Sequence, residues 1–265
     1  MSEETAPGQI DTTVPHSARI WNYWLGGKDN YAVDRQVGEH VAKLFPNIVD
    51  EARFSRAFLR RVVRYLTGEG GIRQFLDVGT GLPTVDNTHQ IAQQIAPESR
   101  IVYVDNDPLV LAHARALLTS SSEGVAEYVG ADVHDPGKIL AEAARTLDFS
   151  KPVAVIMNGI LGHIADDAEA RAIVAQLVEG LPSGSYLALS DGSDTSEEGV
   201  ESMRVYNRSG GIPYNLRSPE RITKFFDGLE LVEPGVVPRN QWRPDIASST
   251  PTAPSAGYGG VARKP

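Results

Sequence analysis

Residues 75–84 read Phe75-Leu76-Asp77-Val78-Gly79-Thr80-Gly81-Leu82-Pro83-Thr84. A short run, apolar but for one aspartate, has the pattern of a strand buried on both faces. It stops at two glycines one residue apart, which let the backbone turn tightly and approach a ligand closely. A helix expected from there to about residue 96 would bring free N–H groups to an anion at the turn. Strand, glycine turn and helix in that order open a unit of a doubly wound α/β sheet.

The same rhythm continues downstream. Ile101-Val102-Tyr103-Val104 reads as a second strand, and Pro108 sits in the first turn of the next helix, where its missing N–H is harmless. A third strand is expected over 125–129, a helix from Pro136, a fourth strand over 153–157, a helix over 166–179 and a fifth strand over 186–189. Such strand–helix units imply a parallel sheet with right-handed crossovers. Residues 192–217 are polar and are expected to cover something. Ser218-Pro219-Glu220 carries the N-cap and proline signals of a short helix. Residues 229–237 and 259–263 read as two last strands, joined by a loop rich in Pro and Ser. The expected fold is α/β and Rossmann-like: a seven-stranded, mostly parallel sheet with a C-terminal antiparallel hairpin.

Upstream, Phe54, Phe58, Val62 and Leu66 recur every four residues and predict a helix over 51–66. Arg53, Arg56, Arg60 and Arg64 form a second stripe, which reads as a solvated face. Residues 17–50 are aromatic-rich with no clean period. The division that follows is a disordered tail over 1–16, an N-terminal helical extension or lid over 17–70, and a ligand-binding domain over 71–265.

Composition narrows the function. The 265 residues are 41% hydrophobic, which suits a globular chain. The net charge of -9 argues against a broad nucleic-acid footprint. With no cysteine, thiolate catalysis and zinc–thiolate sites are excluded, and the six histidines show no metal spacing. No apolar run is long enough for a membrane span and the first residues are polar, so a cytoplasmic location is expected. The sequence is silent on oligomeric state.

The chemistry is expected at the strand ends. Asp105 ends the second strand, where an acid can accept hydrogen bonds from ribose hydroxyls, and Asp132-Val133 lies just past the third. Asp77, Gly79, Thr80 and Gly81 belong to the turn, with Asn106 and Asn158 at neighbouring strand ends. A nicotinamide cofactor fits poorly. Its fingerprint needs a third glycine where Thr84 stands, and Asp77 would repel a pyrophosphate. A ligand with a ribose, an adenine and an ammonium but no phosphate fits better, and S-adenosylmethionine is one.

The stretch Ser17-Ala18-Arg19-Ile20-Trp21-Asn22-Tyr23-Trp24-Leu25-Gly26-Gly27-Lys28-Asp29-Asn30-Tyr31 resembles the signature of an actinobacterial S-adenosylmethionine-dependent methyltransferase family, formerly a domain of unknown function. The resemblance continues through residues 76–87, 153–167 and 225–235 and through Trp242-Arg243-Pro244-Asp245. The sequence departs from the pattern at Ser55, across 158–163 and at Ser190-Asp191, all expected beside the acceptor. The resemblance implies a methyltransferase, with the extension lying over the cofactor. Aromatic faces such as Trp21, Tyr23 and Trp24 attract a sulfonium, and Tyr23 is a catalytic candidate. Arg19 and Lys28 are candidates for the cofactor carboxylate. His163, after the fourth strand, is the candidate general base. A small-molecule acceptor is expected. A non-catalytic S-adenosylmethionine sensor and a nicotinamide-dependent oxidoreductase are the alternatives.

Overall fold

The computed structural model describes residues 11–117, 120–245 and 253–265, so most of the expected tail lies outside it. β1 (Gln74–Val78) pairs in parallel with β2 (Arg100–Asp105) on one side. β3 (Val125–Gly130) continues the sheet beyond β2. On the other side of β1 lie β4 (Ala154–Asn158) and then β5 (Tyr186–Gly192), also parallel. Two short pieces, β6 (Glu230–Leu231) and β7 (Val237–Pro238), pair antiparallel with β8 (Gly257–Arg263), which is itself antiparallel to β5.

The strand expected over 229–237 is therefore broken in two. Between the pieces the chain turns out of the sheet at Glu233-Pro234-Gly235, where Gly235 has φ 85°. Among the described residues eight strands fill seven positions, and the order β3-β2-β1-β4-β5-β8-β6 gives a parallel core closed by antiparallel strands.

Period-two burial builds a core on each face. Leu76, Val78, Val102, Val104, Val155 and Met157 pack with α6 (Pro136–Ala143) and α7 (Asp167–Glu179). Phe75, Ile101, Tyr103 and Ile156 pack with Phe58, Val62 and Leu66 of α3 (Ile48–Gly68). The helix predicted over 51–66 thus lies directly on the sheet. Trp242 is fully buried in the same cluster. Arg61 fastens that segment to α3, donating to the carbonyl oxygens of Trp242 at 2.8 Å and Arg239 at 2.6 Å.

Residues 17–50 hold two helices, α1 (Ser17–Trp24) and α2 (Ala32–Leu44). With α8 (Glu197–Tyr206), drawn from the polar stretch after β5, they enclose a third apolar cluster. Their packing is not periodic because Gly38 admits two aromatic rings: a Cβ there would lie 2.7 Å from Tyr23. Trp24 Nε1 donates to the Gly38 carbonyl at 3.1 Å. The helix after β1, α4 (Thr88–Ile95), starts well past the glycines. Asn87 sets that start: it exchanges bonds with the backbone of Thr84 at 3.0 and 2.7 Å and donates its own N–H to Gln90 Oε1 at 2.9 Å. The expected helix N-terminus at the turn is replaced by a loop. α5 (Pro108–Leu117) follows β2, and α9 (Pro219–Thr223) is capped by Ser218 as its sequence predicts. Among the described residues, no helix is long and apolar enough to cross a membrane.

Candidate functional site

From β1 the chain moves to β2, and it later returns to β4 on the other side of β1. The turns after β1 and β4 therefore open apart at the carboxyl edge of the sheet, where doubly wound folds hold ligands. A cavity of about 230 Å³ lies there.

Its floor is the glycine turn. Gly79 and Gly81 have φ of 75° and 67°, a region that disfavours side chains. A Cβ on Gly79 would also lie 2.6 Å from Ile160, in the turn after β4. The N–H groups of Gly79 and Thr80 donate to the Val104 carbonyl at 2.9 and 3.3 Å, which ties the turn to β2.

Asp105 stands at one wall. Its Oδ2 accepts from the Gly81 N–H at 2.8 Å and its Oδ1 from the Asp107 N–H at 3.0 Å. Burial pushes its carboxyl up, and the two N–H groups oppose that. Each oxygen keeps a lone pair for a further donor. Next to it, Asn106 Nδ2 donates to Asp132 Oδ2 at 3.0 Å. The N–H of His134 donates to Asp132 Oδ1 at 2.9 Å, with its ring Nδ1 at 2.6 Å. Burial acts against ionisation of Asp132, but these bonds outweigh it and hold the carboxyl below its usual value.

The opposite wall is Asn158, Gly159, Ile160 and His163. Asn158 Nδ2 donates to Ser55 Oγ at 3.1 Å, and Ser190 Oγ donates to Asn158 Oδ1. Arg239 Nε extends this chain to Ser190 Oγ at 3.1 Å. Asn158 thus joins Ser55 of α3 to Ser190 of β5. His163 Nδ1 lies 2.9 Å from the Pro213 carbonyl, which can only accept, so Nδ1 carries the proton and Nε2 keeps its lone pair. Burial holds its pKa below the usual value. The turn around His163 is pinned by buried Arg217, which donates to the carbonyls of Leu161 at 2.8 Å and Ile164 at 2.5 Å.

Four expected site residues lie elsewhere. Arg19, 3% exposed, is engaged by Asp34 at 3.1 Å and by the carbonyls of Asp11 and Val14, so its charge is used to hold the extension. Lys28 is exposed and lines no part of the cavity. Tyr23 packs on Gly38, its hydroxyl 3.4 Å from Glu39, on the α2 side of α1. Asp77 sits behind the turn rather than in the wall, accepting from Thr88 Oγ1 at 2.6 Å. Burial pushes its pKa up to about 6, opposed by the Thr88 bond and the charge of Arg56.

Sequence reasoning missed Arg56 and His16, which both line the cavity. Arg56 leaves the arginine stripe because its Nη2 reaches the carbonyls of Val85 at 3.2 Å and Asp86 at 2.9 Å, in the loop after β1. No local pattern separates it from Arg53 or Arg64. His16 Nδ1 lies 3.1 Å from Asp107 Oδ2 but out of line for a hydrogen bond.

Comparison with known proteins accounts for this arrangement. Residues 3–265 match the model of a family described as S-adenosyl methyltransferase. A solved DUF574 family protein from Streptomyces avermitilis is 46% identical with a TM-score of 0.93, covering 97% of this chain and 100% of its own. A putative methyltransferase from Thermobifida fusca is 39% identical with a TM-score of 0.87, covering 99% of each chain. A SAM-dependent methyltransferase from Anabaena variabilis shares the fold at 14% identity, with a TM-score of 0.53 over 100% of this chain and 99% of its own. No curated protein matches the chain. The protein belongs to the S-adenosyl methyltransferase family and is an S-adenosylmethionine-dependent methyltransferase.

Proposed function

We propose that the protein methylates a small molecule and that the 230 Å³ cavity is where it holds S-adenosylmethionine. The observation that carries this is Asp105, whose two oxygens are fixed by backbone N–H groups at 2.8 and 3.0 Å. A carboxylate aimed in this way is prepared for a pair of ribose hydroxyls. Asp132 and Val133 then lie beside the adenine. The amino-acid end meets Gly79, Thr80, Gly81 and Asn158, and its carboxylate meets Arg56, because Arg19 is committed to Asp34 and Lys28 lies outside the walls. Asp77 acts from behind the turn, anchoring Thr88 and Arg56.

When bound, S-adenosylmethionine would supply an activated methyl group to the acceptor's lone pair, with its sulfur as the leaving group. The protein's share is alignment and proton removal. His163 takes the acceptor's proton on Nε2. Tyr23 takes no part in this, since its ring faces Gly38. An acidic chain with a net charge of -9, whose α1 roofs the cavity with Ser17, Ala18 and Trp21, favours a small acceptor over a nucleic acid. A cytoplasmic location is part of the same proposal.

The test is incubation with methyl-labelled S-adenosylmethionine and a metabolite extract of the source organism, followed by separation of the products by mass. Label in a small molecule is the expected result. Label in RNA or protein would overturn the small-molecule acceptor, and no transfer to any fraction would overturn the catalytic account.

A further inference from the structure

A second cavity, about 70 Å³, lies across α1 from the first. Ser17 and Trp21 belong to the walls of both. The helix that carries the family signature is therefore a partition between two chambers. Gly192 and Gly257, paired across β5 and β8, also line the second cavity, so it opens at the same carboxyl edge of the sheet.

Its other walls are apolar: Ile20 and Trp24 of α1, Phe45, Ile48, and Met203 and Tyr206 of α8. Trp21 and Trp24 meet edge to face with ring centres 5.6 Å apart. Two buried charges reach the lining, and both are used within the protein. Glu51 accepts from Ser255 Oγ at 2.6 Å and the Ala256 N–H at 2.8 Å, and Arg239 donates to Ser190. Neither calls for a charge on a ligand. One buried polar atom in this wall has no partner: the hydroxyl of Tyr206, which is 5% exposed. Ser17 approaches it without completing a hydrogen bond. Burial pushes the Tyr206 pKa up to about 12, so it remains a neutral donor. A buried hydroxyl without a partner is destabilising, and a bound alcohol or amine would relieve it.

We propose that this second cavity takes the methyl acceptor, and that the acceptor is a neutral alcohol or amine with a compact apolar body. The body lies among Trp21, Trp24, Phe45 and Met203. The nucleophile faces Tyr206 and Ser17 at the boundary with the cofactor chamber, where His163 of that chamber packs edge to face on Tyr214 of the second cavity's wall, ring centres 5.1 Å apart. This rests on the first cavity being the cofactor site. The volume sets the size of the body. It is about half that of a ~150 Å³ cavity that admits benzene, so a branched five-carbon chain is the upper limit and enters only as flexible Met203 moves aside, with its hydroxyl at the boundary.

The test uses 3-methyl-1-butanol as probe and its carboxylate counterpart, isovalerate, as control. Both are titrated into the whole protein saturated with S-adenosylhomocysteine. Two of the three tryptophans, Trp21 and Trp24, line the cavity and report occupancy by fluorescence. The alcohol should give a saturable change, and isovalerate should bind at least tenfold more weakly. Tyr206→Phe, which removes a hydroxyl that bonds to nothing, should weaken the alcohol about fivefold and leave S-adenosylhomocysteine affinity unchanged. Ala256→Leu, which fills the cavity, should abolish the alcohol signal with the cofactor product still bound. Bound S-adenosylhomocysteine with no saturable alcohol signal would overturn the acceptor assignment alone. So would equal binding of isovalerate, or wild-type binding by both variants. No binding of S-adenosylhomocysteine would overturn the cofactor reading and this inference with it.

Discussion

The backbone N–H of Gly81 donates to Oδ2 of Asp105 at 2.8 Å. That bond makes one piece of the turn after β1 and the end of β2. The Gly79 N–H, at 2.9 Å from the Val104 carbonyl, closes the same junction one residue away. The glycines bend the turn so that a backbone N–H, and no side chain, meets the carboxylate. Asp105 is left aimed and half-buried at the wall of the cavity.

Asp105→Ala should weaken S-adenosylhomocysteine binding by roughly 1–3 kcal/mol, about 5- to 150-fold, because hydroxyls lose a charged partner. Calorimetric titration of the variant against wild type measures this, and circular dichroism checks that the fold is kept.

Gly79→Ala should destabilise the protein by about 1–3 kcal/mol through two additive strains, a side chain at φ 75° and a Cβ 2.6 Å from Ile160. Urea unfolding measures the loss. Adding Ile160→Gly, which removes the crowding Cβ along with Cγ1 and Cδ1, should recover the contact part but leave the backbone part at residue 79.

These two residues also mark how far the sequence could be read. Gly79, Gly81 and Asp105 stand out because glycine spacing and strand ends are local signals. The parallel strands were legible for the same reason, as short apolar runs bounded by turn residues. What escaped depends on tertiary contact. The start of α4 is fixed by the side chain of Asn87, and the last antiparallel position is split at Glu233-Pro234-Gly235. Arg19 looks like a free cation in sequence, yet Asp34, fifteen residues on, claims it. Arg56 looks like one of four solvated arginines until the loop over 85–86 folds against it. Long side chains reach partners that no spacing rule encodes, so the cationic contacts of the site were the least legible part.

Stability should fall as pH rises from about 4 to about 6, through Asp77. Burial pushes its folded pKa up to about 6 from 3.8, so the native state holds a proton that the unfolded chain has released. The contribution is fully favourable below the unfolded value and is lost through the folded one. Asp77→Asn should remove a slope worth up to about 3 kcal/mol. Urea midpoints of wild type and variant at pH 4.5, 5.5 and 7 give the difference. Since burial also raises Asp105 and Asp191, which act in the same sense, only the difference isolates Asp77.

His163→Ala should lower kcat by roughly 10²–10⁴ with the acceptor identified by the labelling assay, while the variant still binds S-adenosylhomocysteine. Burial lowers the His163 pKa, so the wild-type rate should hold at neutral pH and fall only in acid, and the variant should lose that acid limb. A pH–rate profile of both proteins measures it. An unchanged rate would remove His163 from proton transfer.

The most direct measurement is a crystal structure of the protein grown with S-adenosylhomocysteine. The account predicts ribose hydroxyls on Asp105, adenine beside Asp132 and Val133, and the amino-acid end between the turn at Gly79 and Arg56, with the second cavity empty. The adenosyl group lodged in the chamber of Trp24 and Tyr206, or bound away from Asp105, would contradict it.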